Sequence, residues 1–117
     1  MRDIQASHTL PKMPHGHKCR RNHGHTYSVR VEVEGEEGSS GIIIDTGELD
    51  KVFQYIFDTL DHQYLNDIPG LENPTTEVLS RWIWERMHKV IGDHPQIDKV
   101  GICVWESSDS YGYYNGP

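Results

Sequence analysis

The spacing of apolar residues along this chain runs from two to near 3.6 and back to two, an order that few folds can satisfy. From Thr26 to Val33, the residues Tyr27, Val29, Val31 and Val33 alternate with Arg30 and Glu32, as in a strand with one buried face. His25 and His23 continue that alternation backwards. Gly35, Gly38, Ser39, Ser40 and Gly41 break it, and Ile42-Ile43-Ile44 then predicts a short extended segment before Asp45. Leu49, Val52, Phe53, Ile56, Phe57 and Leu60 form a stripe of helical period, with Asp45 and Glu48 at capping-box spacing. A second helix is expected to begin after Asn73-Pro74, where Pro suits the first helical turn, with Gly92 as its stop. Its apolar positions are Leu79, Trp82, Ile83, Met87, Val90 and Ile91. Val100, Ile102 and Val104 restore the period of two up to Glu106, and Tyr111, Tyr113 and Tyr114 point to a last short strand. With the residues before Leu10 also extended, the order is ββααββ: an α+β fold in which two helices cover one face of an antiparallel four-stranded sheet.

A chain of 117 residues has room for one such domain, 1–117, and not for two. Its 18 acidic and 11 basic side chains give a net charge of -7, which argues against nucleic acid or an anionic membrane as partner. No apolar run reaches the roughly 18 residues of a membrane span, and the opening MRDIQASHTL lacks the regions of a secretory leader. A cytoplasmic protein is therefore expected, with Cys19 and Cys103 as free thiols. Cys103 alternates with Val and Ile and reads as a packing residue.

His23 and His25, two apart on a strand, project from the same face and can reach one ion. His8 would join them if the two N-terminal strands pair as a hairpin. Three neutral imidazoles with an open fourth position suit catalytic zinc, whereas the bland reading of His-Gly-His is a solvated polar segment. His15 and His17 repeat the spacing in what reads as a mobile loop after Pro14, and could compete as ligands. Cys19, between Lys18 and Arg20, has a setting that favours thiolate and so suits a base or nucleophile. Asp61 beside His62 could orient the ring for acid-base work, or the pair could simply close the helix. Glu106 is either a surface acid or, in a cleft at the strand end, a partner for an amidine-like group.

Together, Ala6-Ser7-His8, Cys19-x3-His23-Gly24-His25-x-Tyr27, Leu60-Asp61-His62-x2-Leu65-Asn66, Asn73-Pro74-Thr75-Thr76-Glu77 and Trp105-Glu106 resemble the 6-pyruvoyltetrahydropterin synthase superfamily. The three residues between Cys19 and His23 resemble its carboxy-forming branch, since the pyruvoyl-forming branch places five there and an aldolase-like branch replaces the cysteine with glutamate. The resemblance implies a tunnelling fold, in which three subunits close their sheets into a barrel, two trimers stack as a homohexamer, and active sites lie between subunits. It implies zinc on His8, His23 and His25, with Cys19 as catalytic base and Asp61-His62 as proton relay. Glu106 would anchor the pterin ring, and Thr75 and Thr76 would add hydrogen bonds to it. The implied reaction takes 7,8-dihydroneopterin triphosphate to 6-carboxy-5,6,7,8-tetrahydropterin, releasing acetaldehyde and triphosphate, in queuosine or other 7-deazapurine biosynthesis. The triphosphate would meet Lys12, Lys18, Arg20 and Arg21, chosen on charge alone. A pyruvoyl-forming or other side-chain lyase and a non-catalytic pterin-binding oligomer are the competing readings. Ile4 and Asp45-Thr46 depart from the family's usual aromatics, which bears on substrate choice.

Overall fold

In the computed structural model, which describes residues 1–117, the elements run β1 (Arg2–His8), β2 (His23–Gly35), α1 (Thr46–Leu60), β3 (Gln63–Tyr64), α2 (Thr76–Ile91), β4 (Ile97–Trp105) and β5 (Tyr111–Tyr114). They form one sheet in the order β3-β1-β2-β4-β5. Neighbours are antiparallel except β1 and β3, which run parallel through Ala6 opposite Gln63 and Ser7 opposite Tyr64. The four-stranded antiparallel sheet expected from the sequence thus gains a fifth, parallel edge strand. Two residues carry no periodicity, and this strand exists because of its neighbours. Asp61 Oδ1 accepts from the Gln5 backbone N–H at 2.8 Å, and the His62 N–H donates to the Gln5 carbonyl at 2.6 Å, which lays the following residues along β1.

Register explains the core. Ile4 faces Tyr27, Val29 faces Val104, Val31 faces Ile102 and Val33 faces Val100, so the period-two positions of three strands share a single face. That face packs against Phe53, Ile56 and Leu60 of α1 and Leu79, Ile83 and Met87 of α2, within a core cluster of 17 buried residues. The helices therefore lie on one side of the sheet. Gly112 lets α2 come close, because a Cβ there would stand 2.7 Å from the Thr76 carbonyl carbon.

Three local expectations need correction. Ile42 to Ile44 form an irregular, bent segment instead of an extended one, with the Ile42 carbonyl taken by the Gly38 N–H and the Gln96 side chain. Asp45 is the N-cap of α1, yet its exposed carboxylate makes no capping hydrogen bond, so there is no capping box. Pro74 lies outside α2, whose N-cap is Thr75 with Oγ1 accepting from the Val78 N–H at 3.2 Å. The stop at Gly92 holds, as C-cap of α2 in a right-handed helical conformation. No helix is long and apolar enough to cross a membrane.

Candidate active site

The alternation that builds the core also builds the site, at the end of the same sheet face. Ala6 pairs with His25 and His8 with His23, while Ile4 pairs with buried Tyr27, so β1 and β2 carry His8, His23 and His25 outward from the core on one side. On β4 the positions 100, 102 and 104 point to that face, and one more step of two brings Glu106 to it just past the strand. One ligand atom from each of His8, His23, His25 and Glu106 lies within 4.8 Å of the others, a group able to hold a metal ion.

Backbone carbonyls decide where the imidazole protons sit. His8 Nδ1 is 3.0 Å from the Pro74 carbonyl and His23 Nδ1 is 2.7 Å from the Arg21 carbonyl. A carbonyl oxygen only accepts, so each Nδ1 carries the hydrogen and each Nε2 presents a lone pair. Those two Nε2 atoms face each other at 3.0 Å. Two lone pairs at that distance repel unless a cation lies between the rings or one ring takes a second proton. Burial pushes the His8 pKa down, chiefly by desolvation and further through His23 and His25, against the pull of Pro74 and Glu106. Desolvation does the same to His25. A metal ion would satisfy neutral rings in this arrangement, since nitrogen ligands of a tetrahedral ion such as zinc stand about 3.3 Å apart.

His25 adds a second sign. Glu106 Oε1 approaches its Nε2 to 2.8 Å, but off the direction in which that nitrogen hydrogen-bonds, so the buried Nε2 is without a hydrogen-bond partner. A buried ring nitrogen without a partner, beside two Nε2 lone pairs and a carboxylate, is the donor set of a divalent transition metal. Tyr27 was not singled out for the site by sequence reasoning, and neither were the Pro74 and Arg21 carbonyls. The Tyr27 hydroxyl lies 3.0 Å from His8 Nδ1, and burial together with Glu106 holds it protonated. Its place two residues after His25 on the alternating strand was the available signal.

The other expected residues occupy distinct positions. Asp61 caps α1; Oδ1 holds the Gln5 N–H and Oδ2 accepts from His62 Nδ1 at 2.7 Å. These bonds, the Gln5 N–H first, lower the Asp61 pKa. His62 has φ of 59° and a side chain 77% exposed, and it lines an open cleft of about 500 Å³ with Ser7, Gly24 and His25. Asp61-His62 thus both closes the helix and presents an oriented ring, with the free Nε2 outward. Cys19 sits half-buried in a 3-10 turn, Lys18–Arg20, and is not among the four grouped ligands. His17 caps that turn, its Nδ1 accepting from the Cys19 N–H at 3.0 Å. Arg20 spends one guanidinium nitrogen on the Pro11 and Met13 carbonyls, tying the loop to itself. Thr75 and buried Thr76 start α2 immediately after Pro74, whose carbonyl meets His8. Cys103 is buried and both cysteines are free, as expected.

A family model described as 6-pyruvoyl tetrahydropterin synthase matches residues 1–117. The chain belongs to this family. Within the 6-pyruvoyl tetrahydropterin synthase family it is 31% identical to a "Putative 6-carboxy-5,6,7,8-tetrahydropterin synthase" of Pyrococcus abyssi, covering 94% of this chain and 83% of that one. It is 36% identical to the "6-carboxy-5,6,7,8-tetrahydropterin synthase" of Synechocystis over 74% of this chain and 70% of that one. A "Dihydroneopterin monophosphate aldolase" of Pyrococcus furiosus is 38% identical over 74% and 72%. The Caenorhabditis elegans 6-pyruvoyl tetrahydropterin synthase structure superposes with a TM-score of 0.85 at 25% identity, over 99% of this chain and 91% of that one. The tunnelling fold of the family is thus the fold of this chain.

Proposed function

We propose that this chain is a zinc-dependent lyase that converts 7,8-dihydroneopterin triphosphate and one water to 6-carboxy-5,6,7,8-tetrahydropterin, releasing acetaldehyde and triphosphate. The observation that carries the reading is the convergence of His8, His23 and His25, with the His8 and His23 lone pairs inward, in a chain whose relatives in Pyrococcus abyssi and Synechocystis bear that synthase's name. His8, His23 and His25 would hold the zinc, which when bound polarises the oxygens of the substrate side chain and makes the adjacent C–H bonds more acidic. Cys19 removes one of those protons as thiolate. Asp61 fixes His62 through Nδ1, so Nε2 is free to return a proton from the cleft side. Glu106 turns from His25 to accept hydrogen bonds from the 2-amino group and N3 of the pterin. Thr75 keeps its hydroxyl hydrogen for the heterocycle, because its capping bond uses the oxygen as acceptor, and Thr76 lies alongside. In the homohexamer of two stacked trimers that the family resemblance implies, the active sites would lie between subunits.

A second reading is favoured by the 38% identity to the Pyrococcus furiosus aldolase: the same groups would cleave the side chain without forming a carboxylate. Incubating the zinc-loaded protein with 7,8-dihydroneopterin triphosphate and identifying products by mass spectrometry separates the two. The carboxylated tetrahydropterin with acetaldehyde is expected. A pyruvoyl product, or a dihydropterin with a shortened side chain, overturns the assignment of branch.

A further inference from the structure

A second cavity lies between α1 and α2 and shares no lining residue with the histidine cleft. Its volume of about 670 Å³ is within the range of small-molecule sites, roughly 300–1,000 Å³. Ile56, Ile68, Pro69 and Trp82 supply apolar wall, and Trp82 is held by its indole N–H donating to the Pro69 carbonyl at 3.0 Å. The charged residues lining it are Lys51, Arg86 and Lys89, with no Asp or Glu. In a chain with 18 acidic against 11 basic side chains, three cations gathered on an apolar cleft run against the overall balance.

Arg86 is the telling residue. Its guanidinium carbon lies 3.5 Å from the Trp82 ring centroid, and one nitrogen donates to the Trp82 carbonyl at 3.1 Å. Glu85 is close enough to act on its charge, yet the basic and acidic side chains within 4.0 Å of one another are His25–Glu106, Arg30–Glu32 and His62–Asp61, so none of the three cleft cations has a carboxylate within that distance. Desolvation lowers the Arg86 pKa, a cost that an anion in the cleft would offset. Stacking on Trp82 preorganises the guanidinium plane, and its remaining N–H groups match a planar or tetrahedral anion.

We propose that this cleft binds a small amphipathic anion, with its apolar body on Ile56, Ile68, Pro69 and Trp82 and its carboxylate, sulfonate or phosphate at Arg86, Lys51 and Lys89. The site is independent of the proposed reaction and does not rest on it.

The probe pair 8-anilinonaphthalene-1-sulfonate and its neutral counterpart N-phenyl-1-naphthylamine tests the idea by fluorescence titration of the zinc-loaded protein. The sulfonate is expected to bind once per chain and more tightly than the neutral amine. Arg86→Gln should weaken sulfonate binding about tenfold, the worth of one charge-assisted contact, and leave the amine unchanged. Lys51→Gln combined with Lys89→Gln, at exposed positions, should weaken it about threefold by removing exposed charges, and keeps the test open if Arg86→Gln fails to fold. Location is read from the three tryptophan indole N–H resonances, of which that of Trp82 should shift. The proposal is overturned by no sulfonate binding, as when another copy of the chain fills the cleft, or by equal affinity for both probes. Unchanged affinity in the folded charge-removed variants or an unmoved Trp82 resonance overturns it as well.

Discussion

Two backbone carbonyls, those of Pro74 and Arg21, place the protons of His8 and His23, and the lone pairs that face each other follow from that placement. Removing His23 takes away one of the facing nitrogens and leaves His8 and His25 too few to retain an ion tightly. His23→Ala is expected to lose bound zinc by elemental analysis of the purified protein while remaining folded, because the His23 ring is only half-buried. A full complement of zinc would sink the ligand assignment. Cys19→Ala separates chemistry from binding. Cys19 ligates nothing in the metal group, so the variant should keep zinc and pterin binding and lose about 10²–10⁴-fold in turnover. Turnover at the unaltered rate would remove the thiol from the mechanism. At this level the sequence was readable where spacing alone decides direction: a step of two along a strand, across Gly24, puts His23 and His25 on one face, and the same parity carries Glu106 to it. It was not readable for Tyr27, whose hydroxyl meets a ring on another strand.

Among the elements, β2 organises the rest, since its alternating face supplies both the middle of the core and the two adjacent histidines. α2 matters for how it begins. Thr75 caps it, and the chain just before it delivers the Pro74 carbonyl to His8. Thr75→Ala removes the capping acceptor and should cost about 1 kcal/mol, seen as a fall in thermal midpoint. Thr75→Ser should recover most of the loss, because it retains the hydroxyl. If Thr75→Ala melts with the wild type, the cap contributes nothing measurable. The two long helices and the strands β2 and β4 were evident in the residue pattern because each buries a continuous stripe. β3 was not, because two residues form a strand only through the Gln5 bonds made by Asp61 and His62. At Asp45 the pattern promised a capping box that does not form, because a carboxylate at the right spacing still stays in water when exposed.

For the molecule entire, histidine burial couples stability to pH. The folded pKa values of His8 and His25 lie below their ordinary value near 6.5, chiefly through desolvation, so the folded state favours the neutral rings. Their contribution is therefore complete above about pH 6.5 and is lost as pH falls below it towards the depressed folded values. Chelator-treated protein should melt at a lower temperature at pH 5.5 than at pH 7.5. Zinc should raise the midpoint at pH 7.5 and raise it less at pH 5.5, since protons compete with the metal for the same nitrogens. A midpoint that rises on acidification would contradict the burial argument. What the sequence determined was the order of elements, the shared face of the core and the direction of His23 and His25, because periodicity acts between neighbours along the chain. What only the tertiary structure decided was the proton position on His8, set by a carbonyl 66 residues away, the parallel edge strand, and the unpaired cations between the helices. Each depends on groups that no local pattern links, brought together when α1 and α2 settle on one side of the sheet.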